Sequence, residues 1–140
     1  MSNWTRPRGL MLVLFLAGSA PTQAAPDDPQ SPESLAKARV EIARRFYELA
    51  VERLPGDDVR GPSDQAVEQV ALWSRRWMEG ERDASSGKPI AAIESHRDRM
   101  KRWEDKFAEL NDRTFQNTVD LFKFHRLEAE LWLAKAKTER

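Results

Sequence analysis

The sequence predicts an all-α fold: antiparallel helical hairpins forming a four-helix-bundle-like domain with coiled-coil character. Three observations predict it. Apolar side chains recur at three- and four-residue steps through four successive segments. Charged residues make up 33% of the chain and interleave with that pattern, as on long exposed helices. Proline and glycine gather between the first three segments, where they end helices.

The first element is an address. Arg6 and Arg8 form a positive start, and Leu10 to Ala17 is an unbroken apolar run. Gly18, Ser19 and Pro21 break it, and Thr22-Gln23-Ala24 places small residues at −3 and −1 of a cut before Ala25. A membrane-spanning helix needs about 20 apolar residues, so this run is too short to remain in a bilayer. Residues 1–24 therefore read as a cleavable secretory signal peptide, with the product exported, periplasmic or secreted. No stable membrane span is expected after cleavage. Residues 25–33 carry three prolines and read as a linker, leaving 34–137 as the helical domain.

Ser31 followed by Pro32 suits a helix start, as a capping hydroxyl before a proline that needs no donor there. The first helix carries two apolar rows: Leu35, Ala38, Ile42, Phe46, Leu49 and Ala50, and then Val40, Ala43, Tyr47, Val51 and Leu54. Pro55-Gly56 ends it, and residues 55–62 form a loop. Ser63 or Asp64 caps the second helix, whose stripe is Val67, Val70, Trp73, Trp77 and Met78. Gly87, before Pro89, suits a left-handed cap at its end.

The third helix has the narrowest stripe: Ile93, His96, Met100, Trp103, Phe107 and Leu110, spaced as a coiled-coil seam. Trp103 near its middle is expected to be buried, and Arg99 to lie on the polar face. Asn111-Asp112-Arg113-Thr114 reads as a turn capped by Asp112 or Thr114, although it holds no glycine or proline; a single long helix is the alternative. The fourth helix, from about Thr114 to Lys137, again has two rows. One is Phe115, Val119, Phe122, Ala129 and Trp132; the other is Leu121, Phe124, Leu127, Leu131 and Ala134.

Composition excludes several chemistries. The chain has no cysteine, which removes disulfides, thiol catalysis, c-type haem attachment, cysteine-ligated metal and a bacterial lipoprotein anchor. Beyond residue 24 there are 21 basic and 23 acidic side chains, a formal net charge of −2. That argues against nucleic acid or an anionic membrane surface as the partner.

Arg126-Leu127-Glu128-Ala129-Glu130-Leu131-Trp132-Leu133-Ala134-Lys135-Ala136-Lys137 resembles the helical segments of TolC-like outer-membrane efflux proteins, as do the residues from Ala36 to Tyr47. The resemblance covers about 40 residues. It implies a helical hairpin standing alone, since no strand segments exist here to build a barrel. The chain also resembles small exported helical proteins of bacteria.

Two histidines raise a metal site. His96 and His125 lie on apolar stripes, and Glu128 follows His125 by one turn, but neither the Glu-x-x-His nor the HExxH pattern occurs. Both histidines therefore read first as seam residues, with His96, His125 and Glu128 as candidate ligands. A histidine–methionine haem site would use His96 with Met100 or Met78. No cofactor is expected. Trp73, Trp77, Trp103 and Trp132 are core residues or, alternatively, an aromatic interaction face. No nucleophile elbow or phosphate loop is present, so no enzyme is expected. The expected function is contact, through apolar helix faces, with another protein or a second copy. The alternative is a periplasmic binding protein, either a metal or stress sensor or a chaperone.

Overall fold

The computed structural model describes residues 30–54, 61–85 and 89–139. The expected signal peptide at residues 1–24, the expected linker up to Pro29, residues 55–60 of the expected loop and Gly87 lie outside the described residues. Four α-helices and no strand are found among them: α1 Pro32–Glu52, α2 Asp64–Ala84, α3 Pro89–Glu109 and α4 Gln116–Thr138, with a 3-10 turn at Arg113–Phe115 leading into α4. The fold is an all-α helical bundle.

Local chemistry sets the boundaries. The Ser31 hydroxyl accepts from the Ser34 amide at 3.1 Å, and the Ser63 hydroxyl from the Ala66 amide at 3.2 Å. Each satisfies an amide that the first turn leaves without a partner. The α3–α4 link is a turn. Asn111 adopts φ 47, the left-handed conformation that asparagine tolerates at a helix C-terminus. Asp112 then caps the 3-10 turn, its carboxylate accepting from the Thr114 amide at 2.9 Å. Gly61, at φ +70, precedes α2; a Cβ there would lie 2.7 Å from the Phe115 ring.

The helices run up, down, up, down. Arg39 pairs with Asp83 and Phe46 stacks on Trp73, so α1 and α2 are antiparallel. Arg126 pairs with Glu104 and Phe107 stacks on Phe122, so α3 and α4 are too. Asn117 donates to Asp64 and Arg75 lies over Trp132, which makes α2 and α4 parallel. Packing is densest within each hairpin, and α2 also packs on α3 and α4.

Small residues decide which face of α1 turns inward. Ala36, Ala43 and Ala50 are buried at seven-residue intervals. At Gly80 of α2 an added Cβ would come within 2.9 Å of the Val40 side chain, so the two helices approach closely. Bulky side chains have no room in that seam. The row containing Val40, Ala43, Tyr47 and Leu54 therefore faces in, while Leu35, Ile42 and Phe46 remain exposed. In α4, Phe122, Ala129 and Leu133 face the core, and Phe124, Leu127 and Leu131 face out.

The interior has two apolar clusters. One joins Leu54, Val67, Val70, Met100, Phe107 and Phe122; the other joins Met78, Ala92, Ile93, Ala129 and Leu133. Two expectations are corrected. Arg99 is buried at 8% exposure instead of lying on a polar face. Trp103 is half-buried, with its indole N–H donated to the Tyr47 hydroxyl at 3.0 Å. Leu110, the last seam residue, is exposed because α3 ends at Glu109.

Candidate functional site

The most distinctive constellation is a polar knot buried where α2 faces α3. Ser74 and His96 are essentially inaccessible. The Ser74 Oγ lies 2.8 Å from His96 Nδ1 and 2.8 Å from Arg99 Nε, and the Arg99 guanidinium also donates to the Ser74 carbonyl at 3.2 Å. A guanidinium only donates, so Ser74 Oγ accepts from Arg99, while the direction of its bond with His96 Nδ1 follows the imidazole tautomer. Burial, reinforced by the charge on Arg99, pushes the His96 pKa from 6.5 to about 3. Burial also lowers the Arg99 pKa, an effect opposed by Glu81.

A serine at hydrogen-bond distance from a histidine is a nucleophile–base geometry in other settings. Here Arg99 occupies a lone pair of the hydroxyl, and Ser74 is completely buried. The knot therefore holds α2 to α3 and offers no attacking oxygen to a substrate.

Each of the four tryptophans named from the sequence carries a cation over its ring: Arg76 over Trp73, Arg99 over Trp77, Lys106 over Trp103 and Arg75 over Trp132. The rings do not share one face. Trp73 stacks on Phe46, Trp77 meets Tyr47 edge-on, Trp103 stacks on Phe122, and Trp132 stacks on His96. All four are half-buried boundary residues, with one side packed and the other capped by charge.

The candidate metal ligands do not form one set, since only His125 and Glu128 stay together. His96 is committed to Ser74, while His125 Nε2 lies 3.3 Å from Glu68 and its Nδ1 lies 3.9 Å from Glu128. Among the described residues no group of three or more histidine, aspartate, glutamate or cysteine side chains converges on a metal position. Met100 and Met78 lie in separate core clusters.

A cleft of about 520 Å³ opens between α1, α2 and α3, lined by Val40, Glu41, Glu81, Ala84, Ala92 and Ser95 among others. Glu81 Oε2 is buried without a hydrogen-bond partner. Six of the eight exposed large apolar side chains among the described residues form two rows: Leu35, Ile42 and Phe46 on α1, and Phe124, Leu127 and Leu131 on α4.

Arg99 is the residue that sequence reasoning missed. The signal was present in its surroundings. Ser74 interrupts the apolar stripe of α2 and His96 that of α3, and buried polar groups require partners. No described helix is long and apolar enough to cross a membrane. Compared with known proteins, the chain matches no family model, no curated protein and no solved structure.

Proposed function

We propose that this chain is a non-enzymatic, exported helical protein of the cell envelope that works by contact with another protein chain. The observation that carries this reading is the apolar surface left outside the bundle. The outer rows of α1 and α4 leave six large apolar side chains 43–61% exposed, although both helices already bury a second row. Single exposed apolar residues are ordinary on protein surfaces, whereas aligned rows mark interaction faces. Leu127 and Leu131 of the α4 row fall within the stretch that resembles the TolC-like helical hairpins. The polar knot also supports a role without catalysis, because its only Ser–His pair is sealed.

Site-specific photo-crosslinking in the native host tests the reading. A photoreactive side chain at Leu131 or Ile42 is expected to form protein adducts, and one at Lys101, on an exposed charged face, is not. Absence of adducts at both rows would refute it.

A second reading, capture of a small ligand, draws support from the cleft between α1, α2 and α3. Native mass spectrometry of the exported protein separates the two: a co-purifying small molecule favours capture.

A further inference from the structure

We propose that the outer face of α4 pairs with α4 of a second copy of this chain, as a parallel, in-register two-stranded coiled coil. The proposal rests on the reading above and names its partner.

The spacing comes first. Phe124, Leu127, Leu131 and Ala134 follow one another at steps of three, four and three, the heptad seam of a coiled coil. The first three are 61%, 48% and 54% exposed, and Ala134 is exposed as well. The seam thus has the pattern of an interhelical contact and no helix against it among the described residues. Asp120, four residues before Phe124, ends the apolar run. The run is short for a free peptide, which must form its helix as it associates. Here the bundle has already folded α4, so association need not supply that term.

Charge selects the partner and its direction. In a parallel pair, the residue just before a seam position meets the residue five places later on the other chain, and such flanking pairs set orientation. The seam is flanked by Lys123 and Glu130 on one side and by Glu128 and Lys135 on the other. Parallel pairing with a second copy brings Lys123 to Glu128 and Glu130 to Lys135, each twice by symmetry. An antiparallel pairing that matches the apolar layers, with Leu127 on Leu131 and Phe124 on Ala134, does the reverse. It sets Glu128 on Glu128, Glu130 on Glu130 and Lys123 on Lys137. Within one chain Glu130 accepts from Arg126 at 2.6 Å and Glu128 lies 3.9 Å from Arg75, contacts at the seam edge that leave the apolar strip open.

The chain's lack of cysteine makes a direct test possible. Leu127→Cys places one thiol at the middle of the seam. In the parallel pair the two thiols face each other within disulfide reach, so mild oxidation of the purified chain should give a linked dimer. Lys101→Cys, on an exposed face of α3, should remain single. In the unmodified protein, sedimentation equilibrium should show mass doubling with concentration. Leu127→Asp should weaken association about 100-fold, the loss expected of a central interface residue. Lys123→Glu should weaken it several-fold, and adding Glu128→Lys to the same chain should restore it.

Cross-linking only in a mixture of Leu127→Cys with Leu131→Cys chains would establish antiparallel pairing and overturn the proposal. A single-chain mass at every concentration, with no linked dimer, would also overturn it. In that case photo-adducts of Leu131 with a different protein would preserve the broader reading, and their absence at both rows would remove that too.

Discussion

Two rows of the same spacing meet opposite fates in this molecule. On α3, Ile93, His96, Met100 and Phe107 are buried; on α4, Phe124, Leu127 and Leu131 are exposed. The helices have similar lengths, 21 and 23 residues. What differs is their surroundings. α3 has one apolar face and packs between α2 and α4, whereas α4 has two opposed faces and turns Phe122, Ala129 and Leu133 inward. Heptad spacing therefore marks a face suited to a helical neighbour without saying whether the same chain provides that neighbour.

The sharpest way to test the contrast is to truncate one side chain from the core. Phe122 is fully buried and stacks on Phe107 and Trp103. Phe122→Ala is expected to cost about 3–5 kcal/mol, from lost burial and the cavity left behind. Domain stabilities run to about 5–15 kcal/mol, so urea unfolding should shift to a far lower midpoint. A midpoint like that of the parent would mean the two clusters do not form the core described.

Arg99→Ala should have the next largest effect, about 2–3 kcal/mol. It removes charge-assisted hydrogen bonds to Ser74, the packing over Trp77 and a positive charge that interacts with Glu81, whose Oε2 is buried without a hydrogen-bond partner. The reading of Arg99 as a polar-face residue implies less than about 0.5 kcal/mol. Parallel urea titrations of parent and variant decide between them.

The pH dependence follows from His96. Its folded pKa is near 3, against 6.5 unperturbed, so below 6.5 the unfolded chain binds a proton that the folded one refuses. The stability linked to His96 is complete above pH 6.5 and falls as the pH drops toward 3, by about 1.4 kcal/mol per pH unit once well below 6.5. At pH 5 the loss should be about 2 kcal/mol. His96→Gln should flatten that part of the profile, and an unchanged slope would place the acid sensitivity elsewhere.

Much of the architecture was legible because its signals are local. The Ser31 and Ser63 caps and the α3–α4 turn at Asp112 depend on near neighbours in sequence, and α1 ends at Glu52, two residues before the expected stop at Leu54. The turn was the harder case, because Asn111 takes the left-handed conformation usually given to glycine. What was not legible depends on which helices meet. Two rows on α1 were visible, but which one turned inward was decided by the close approach of Gly80 to Val40. Arg99 followed the same logic: a charge reads as outward until a serine and an indole on another helix surround it.

The smallest expected effect is the most informative about the comparison. Ile93 and Leu131 are both seam residues, 3% and 54% exposed. Ile93→Ala should cost about 2–5 kcal/mol, because its cavity opens among Met78, Ala92, Ala129 and Leu133. Leu131→Ala should change stability by less than about 0.5 kcal/mol in dilute protein, where each chain is alone and the side chain borders water in both the folded and unfolded states. Raising the protein concentration should separate parent from Leu131→Ala, since a partner that binds only the folded chain adds stability by mass action. The parent midpoint should then climb with concentration and that of the variant should stay flat. If Leu131→Ala already loses more than about 1 kcal/mol in dilute protein, another part of the same chain covers α4, and the contrast between the two seams disappears.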